Sequence, residues 1–265
     1  MIRLSPQLSV LFALGTALGT ALLAGCSMPH KEALSPAGTY EGPPVAIGQG
    51  QAWTFVTLDE QGQAKTLGIR MSEAALSGLP AEPPATGEWE YQLSLPAEAS
   101  VTGYNHVTVD WNPHGHIPEG VYNVPHFDFH FYAIDSASRN AITAVGEDLA
   151  RAHKAPEPAY MPADYVLPPG TEVPRMGAHA IDSASPEFHD QPFTQTFIYG
   201  FYDGRIIFVE PMMTLAFLAS RPDVSAPVKQ PEAYYPGFAY PNWYGARYDA
   251  ANAQYEITLE ELARH

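Results

Sequence analysis

The chain has 265 residues and a formal net charge of −16, which argues against nucleic acid and against an anionic membrane surface as partners. Its 26 prolines and 12% aromatic content suit strands and loops better than a helix bundle. It has 1 cysteine, so the fold must hold by burial and not by disulfides.

Residues 1–25 read as a leader. Arg3 supplies a weak positive start, and an apolar stretch runs from Val10 to Leu23. That stretch is short for a membrane span and ends in small residues, as signal peptides do. Leu23-Ala24-Gly25-Cys26 resembles a bacterial lipobox, in which cleavage leaves Cys26 lipidated. An ordinary secretory signal with an incidental cysteine is the alternative. Ser27 follows Cys26, where an aspartate would signal inner-membrane retention. The expectation is a cell-envelope lipoprotein, anchored in the bilayer through Cys26, in the outer membrane or facing the periplasm.

Residues 26–37 read as a tether and 38–265 as a single domain. Segment 52–58 and segment 65–70 read as a hairpin around Asp59-Glu60-Gln61-Gly62. Ser72 is placed to cap a short helix over 73–79. Segments 89–95 and 104–111 alternate as strands, followed by a turn-rich stretch and a strand at 126–132. Residues 143–154 have helical spacing of Ala144, Leu149 and Ala152, whereas 155–175 holds 6 prolines and reads as irregular. Segments 194–201 and 205–210 flank Asp203-Gly204, a strong hairpin signal. A short helix over 212–219, a Tyr/Pro-rich loop over 231–244 and a final hairpin with strands near 244–248 and 254–259 complete the chain. The class is mainly β: one antiparallel β barrel or sandwich with a few short helices.

Pro125-His126-Phe127-Asp128-Phe129-His130-Phe131-Tyr132 carries the chemistry. A strand sends His126, Asp128 and His130 to one face and the three phenylalanines to the other. Imidazole and carboxylate together suit Zn, Fe, Mn, Ni or Cu, and Zn, Fe, Mn or Cu is the expected ion. Residues two apart in a strand are about 6.6 Å apart and residues four apart about 13 Å. One ion therefore takes His126 with Asp128, or Asp128 with His130, and the third group is a neighbour or proton carrier. A hydrogen-bonded polar row without metal is the alternative. His179 is the expected ligand from elsewhere in the chain, in one arrangement beside Asp128 and His130 with His126 as general base. Glu210 either completes the site or is paired in the core. His189 reads as solvent-exposed. His106, Thr108 and Asp110 form a second polar row, read first as a solvent face and otherwise as a neighbour of the first row.

Two resemblances bear on this. Pro174-x-x-Gly177-x-His179 resembles the second motif of cupins, whose histidine is a metal ligand on a barrel strand. His114-Gly115-His116 with Glu119 approximates the first motif, one residue short. More of the chain resembles another family, through Asp110-Trp111-Asn112-Pro113 with Gly115-His116, Val121-Tyr122, the 125–132 run, Met176-Gly177-Ala178-His179, Thr196 to Gly200 and Glu210-Pro211-Met212. Their order and spacing are similar to a bacterial exported family of unknown function with a PHFDFHFY signature, related to an envelope-stress sigma-factor-controlled stress protein. The resemblance implies export and a single β-rich domain, and supplies no reaction. That family leads one to expect an aromatic after His179; Ala180 here implies a more open site wall.

Two functions compete. One is a metal-binding envelope protein. The other is a non-catalytic binding or structural lipoprotein that grips a glycan, small molecule or protein through Tyr234, Tyr235, Phe238, Tyr240, Trp243 and Tyr244. Nucleophilic chemistry lacks its Gly-x-Ser-x-Gly elbow or a second thiol. Met176, Met212 and Met213 near histidine leave copper handling as a lesser option.

Overall fold

A computed structural model describes residues 35–85 and 87–265, all within a compact unit that spans Leu34–His265. The leader, Cys26 and most of the tether lie outside the described residues. Among the described residues fifteen strands form two antiparallel sheets. They are β1 (Gly38–Glu41), β2 (Val45–Ile47), β3 (Gly50–Leu58), β4 (Ala64–Ser72), β5 (Trp89–Ser94), β6 (His106–Asn112), β7 (His126–Tyr132) and β8 (Tyr165–Val166). Then come β9 (Glu172–Val173), β10 (Gly177–Asp182), β11 (Gln195–Tyr202), β12 (Arg205–Thr214), β13 (Asp223–Pro227), β14 (Trp243–Asp249) and β15 (Gln254–Glu260). The first sheet runs β1-β3-β4-β15-β14-β13 with β2 beside β3; the second runs β5-β6-β7-β12-β11-β10-β8 with β9 beside β10.

Both sheets stay open, so the barrel expectation gives way to the sandwich. Period-two alternation builds the layer between them. Leu67, Ile69 and Met71 of β4 pair with Leu259, Ile257 and Tyr255 of β15. They meet Val107, Val109, Phe127, Phe129 and Phe131 from the second sheet in one core. Each fully buried phenylalanine contributes on the order of 2 kcal/mol. Slipping β7 by one residue would exchange all three for His126, Asp128 and His130, so its register is fixed.

The outer face of the second sheet is also covered. Tyr122, Tyr132, Ile142, Met176, Phe193, Ile198, Phe208 and Met212 form a second, smaller core under loops. This third layer corrects the solvent-face reading of β6: His106 is 3% exposed, and Thr108 and Asp110 are 0% exposed.

The helical expectations fare less well than the strands. Segment 73–79 is a 3-10 turn over Glu73–Leu76, and the Ser72 hydroxyl accepts from the Gln51 amide rather than capping it. Residues 143–154 break into a 3-10 turn (Gly146–Asp148) and a four-residue helix, Leu149–Ala152. Met212 and Met213 remain in β12, and a helix begins only at Leu215. The 155–175 stretch is mostly irregular, interrupted by the two-residue β8 and β9. The Asp203-Gly204 hairpin forms with Tyr202 paired to Arg205, and both loop residues have positive φ, 50° and 73°. That is the backbone a two-residue hairpin loop requires.

Candidate metal centre

The polar face of β7 lies at the centre of the second sheet. On one side β6 sets Asn112 opposite His126, Asp110 opposite Asp128 and Thr108 opposite His130. On the other, β12 sets Met212 opposite Asp128 and Phe208 opposite Tyr132, which brings Glu210 beside His130. One strand further, β10 pairs His179 with Gly200 of β11. Gly200 is required there: a Cβ would lie 2.1 Å from the Phe208 ring. That ring packs against both His130 and His179, at 4.8 and 5.2 Å between centroids.

Two groups of two histidines and a carboxylate result, each with ligand atoms within 4.8 Å of one another. The first is His130, His179 and Glu210. His130 Nε2 lies 3.5 Å from Glu210 Oε2, and His179 Nε2 lies 3.8 Å from the same oxygen. His179 Nδ1 donates to the Thr171 carbonyl at 2.9 Å, so its Nε2 lone pair faces Glu210. His130 Nδ1 faces Asp110 Oδ2 at 3.0 Å. A second partner on the far ring nitrogen is the usual orienting device of a metal-ligating histidine.

The second group is His116, His126 and Asp128. His126 Nε2 lies 3.1 Å from Asp128 Oδ1, and His116 Nε2 lies 3.3 Å from Asp128 Oδ2. Both Nδ1 atoms donate to carbonyls at 2.7 Å, His126 to Val124 and His116 to Ile117. Asn112 Nδ2 donates to Asp128 Oδ2 at 2.8 Å.

Ligands about 2.1 Å from a tetrahedral ion lie roughly 3.4 Å from one another, the spacing seen in both groups. Alignment also favours an ion. His126 Nε2, Asp128 Oδ1, His130 Nε2 and Glu210 Oε2 are buried with no hydrogen-bond partner among the described residues. A buried polar atom left without a partner costs about 1–3 kcal/mol.

At the His130 group the electrostatics point the same way. Burial, reinforced by Asp128, pushes the Glu210 carboxyl well above the usual range. Burial, then Glu90 and Asp128, do the same to Asp110. Glu88 is pushed up to about 8 by burial and Asp110. Burial opposes ionisation of Asp128, yet His126 and His116 hold it well below the usual range. Burial likewise opposes charge on His116, but Asp128 raises it to about 9. Burial lowers both His130 and His179 to about 4, leaving neutral imidazoles at neutral pH. Neutral imidazole is the form that ligates, and a divalent cation relieves crowded carboxylates.

Both groups border one cavity of about 260 Å³. Glu88, His116, Asp128, His130, His179 and Glu210 supply its polar lining, and Ile117, Tyr122, Val173, Met176, Ile198 and Met212 its apolar walls.

The structure thus brings the five expected residues to one sheet face but divides them. His126 and Asp128 fall in one group; His130, His179 and Glu210 fall in the other. Ala180 is buried in the sandwich core, so the expected effect of its small side chain on a site wall does not arise. The cupin-like first motif does not assemble: His114 is exposed and faces Glu82 at 3.1 Å, and Glu119 is exposed. His189 is exposed, as expected. Sequence reasoning passed over Asn112, His116 as a partner of Asp128, and Glu88. Asp110 was legible in the alternation of β6, which matches that of β7.

Residues 59–111 match the family model described as TTHB210-like: Hypothetical protein TTHB210. No curated protein and no solved structure matches the chain. The matched stretch carries β4 and β5 and ends at Trp111 in β6, so it includes Glu88, Glu90 and Asp110 but stops short of β7.

Proposed function

We propose that the protein is a lipid-anchored metalloprotein of the bacterial envelope. Its ion is held by His130, His179 and Glu210 and meets a small molecule in the cavity beside them. One observation carries this reading. Two imidazole nitrogens and a carboxylate oxygen from three different strands converge on a shared space, with the far side of His179 fixed and, at His130 and Glu210, with no hydrogen-bond partner among the described residues.

Three protein ligands leave coordination positions for water or substrate, the arrangement of catalytic sites rather than closed structural ones. Zn, Fe, Mn and Cu all accept two histidines and a carboxylate. Met176 and Met212 line the same cavity and would add the thioethers that favour copper. Cys26 in its lipobox-like context supports anchorage and export. The competing reading, a binding lipoprotein using the 231–244 loop, has less support. Phe238 and Tyr240 are buried, Tyr234 stacks on His265 at 3.5 Å, and Tyr235 stacks on Tyr160 at 4.1 Å.

Elemental analysis of tag-free mature protein tests the reading. Transition metal should co-purify or be taken up, and His179→Ala should lose an equivalent while staying folded. A wild type that is folded, metal-free and refuses all four metals overturns it.

A further inference from the structure

The ion at His130 leaves the other triad unused. We propose that His116, His126 and Asp128 hold a second, separate ion that fastens the 113–125 loop over the cavity. His126 and Asp128 stand on β7, whereas His116 comes from the loop. His126 and Asp128 are 0% and 3% exposed, and His126 Nε2 and Asp128 Oδ1 stand 3.1 Å apart without a hydrogen-bond partner among the described residues, with His116 Nε2 3.3 Å from Asp128 Oδ2 and all three residues offering ligand atoms within 4.8 Å of one another. Asn112 engages Asp128 Oδ2, and the two carbonyl-bound Nδ1 atoms turn both Nε2 atoms inward.

The two triads share no ligand: His116, His126 and Asp128 form one, and His130, His179 and Glu210 the other. The two ions therefore have separate ligands and separate tasks. All three ligands of the His130 triad lie on strands and are positioned without the loop. The His116 triad is complete only when the loop is down.

The first half of that loop is held more lightly: the Gly115 and His116 amides donate to the Asn112 and Tyr122 carbonyls at 3.2 and 3.3 Å, and the exposed His114 faces Glu82 at 3.1 Å. Its second half is well seated: Tyr122 packs on Phe193 at 4.8 Å between centroids and donates to Glu187 at 3.1 Å. The turn at Gly115 is tight, with φ +69° and room for no Cβ, which would lie 2.0 Å from the Tyr122 carbonyl oxygen. Between these points Ile117 is 56% exposed, and Glu119 and Gly120 are exposed. His116 reaches Asp128 of β7 at 3.3 Å, and Gly115, His116 and Ile117 form one wall of the cavity. An ion there fixes the wall; its removal frees the wall and widens access. A rival explanation is a simple ion pair between a charged His116 and Asp128.

Zn²⁺ titration against a chromophoric chelator, combined with hydrogen exchange over 113–124, separates these cases in the mature protein. Wild type should bind two Zn²⁺. His116→Asn and the isosteric Asp128→Asn should each lose one. Removing Zn²⁺ from wild type, or substituting His116, should speed exchange over 113–120 at least tenfold and leave β7 unchanged. A single ion, kept by His116→Asn and lost by His179→Ala, overturns the second site and leaves the first reading standing. A single ion with the opposite behaviour overturns the first and supports the second. No ion overturns both. Two ions with exchange over 113–120 indifferent to Zn²⁺ overturn the fastening role.

Discussion

His106 shows how strongly the third layer changes the chemistry of a residue. Its ring stacks on Tyr132, 4.8 Å between centroids and 11° from parallel. Burial, with the nearby charge of Arg139, lowers it to about 4 from 6.5. A folded-state value below the unfolded one means that the unfolded chain binds the proton first. The neutral ring therefore costs nothing above pH 6.5, and the protein loses stability as pH falls from 6.5 towards 4. The loss reaches about 3 kcal/mol when the shift is fully expressed. His106→Phe keeps the stack and removes the titration. Urea unfolding at pH 7.5, 5.5 and 4.5 should show the variant gaining on wild type with each step down. Parallel profiles would mean that His106 takes up its proton in the folded state without penalty.

At the scale of elements, a charge cluster ties the loop layer to the sheet edge. Arg139, in the last turn of the helix Ser136–Asn140 (α1), is 1% exposed and lies 4.5 Å above the Tyr132 ring. It donates to Glu90 Oε1 at 3.1 Å, and Arg175, just before β10, donates to the same carboxylate. Glu90→Gln leaves Arg139 a buried cation without its counter-ion, a change that costs about 3–5 kcal/mol. For a chain of this size that lowers Tm by roughly 6–20 °C; a fall of only a degree or two would show that Tyr132 and water suffice for Arg139. The strands were legible, because alternation and the Asp203-Gly204 turn are local signals. The helices were not. Residues 143–154 have helical apolar spacing, yet the Asp148 carboxylate accepts from the amides of Thr143 and Ala144, at 2.8 and 3.0 Å, and closes a turn there. Ala144 and Gly146 both have positive φ. At 212–219 the strand wins until Thr214, whose side chain accepts from the Phe217 amide at 3.1 Å and so sets the helix start.

At the scale of the molecule, the sequence reveals which residues share a strand face but not which strands are neighbours. The spacing argument separated His126 from His130, and the structure separates them too. It could not place Glu210 beside His130, because that contact requires β12 to lie against β7 across a long stretch of chain. Nor does alternation reveal a covered outer face; a polar row looks the same under solvent and under a lid. That lid has its own energetics. The sandwich buries long aliphatic and aromatic rows from both sheets, whereas the loop layer rests on a smaller cluster and on polar contacts. Regions with fewer buried apolar contacts open at lower free energy. Metal-free protein should therefore exchange amides over 170–176 and 186–193 well before those of β4, β7, β12 and β15. Metal should slow the first set and leave the second at the global unfolding limit. Uniform exchange across all these segments would mean that lid and sandwich unfold as one. Separate opening would give an ion or substrate a route to His130, His179 and Glu210 without disturbing the strands that position them.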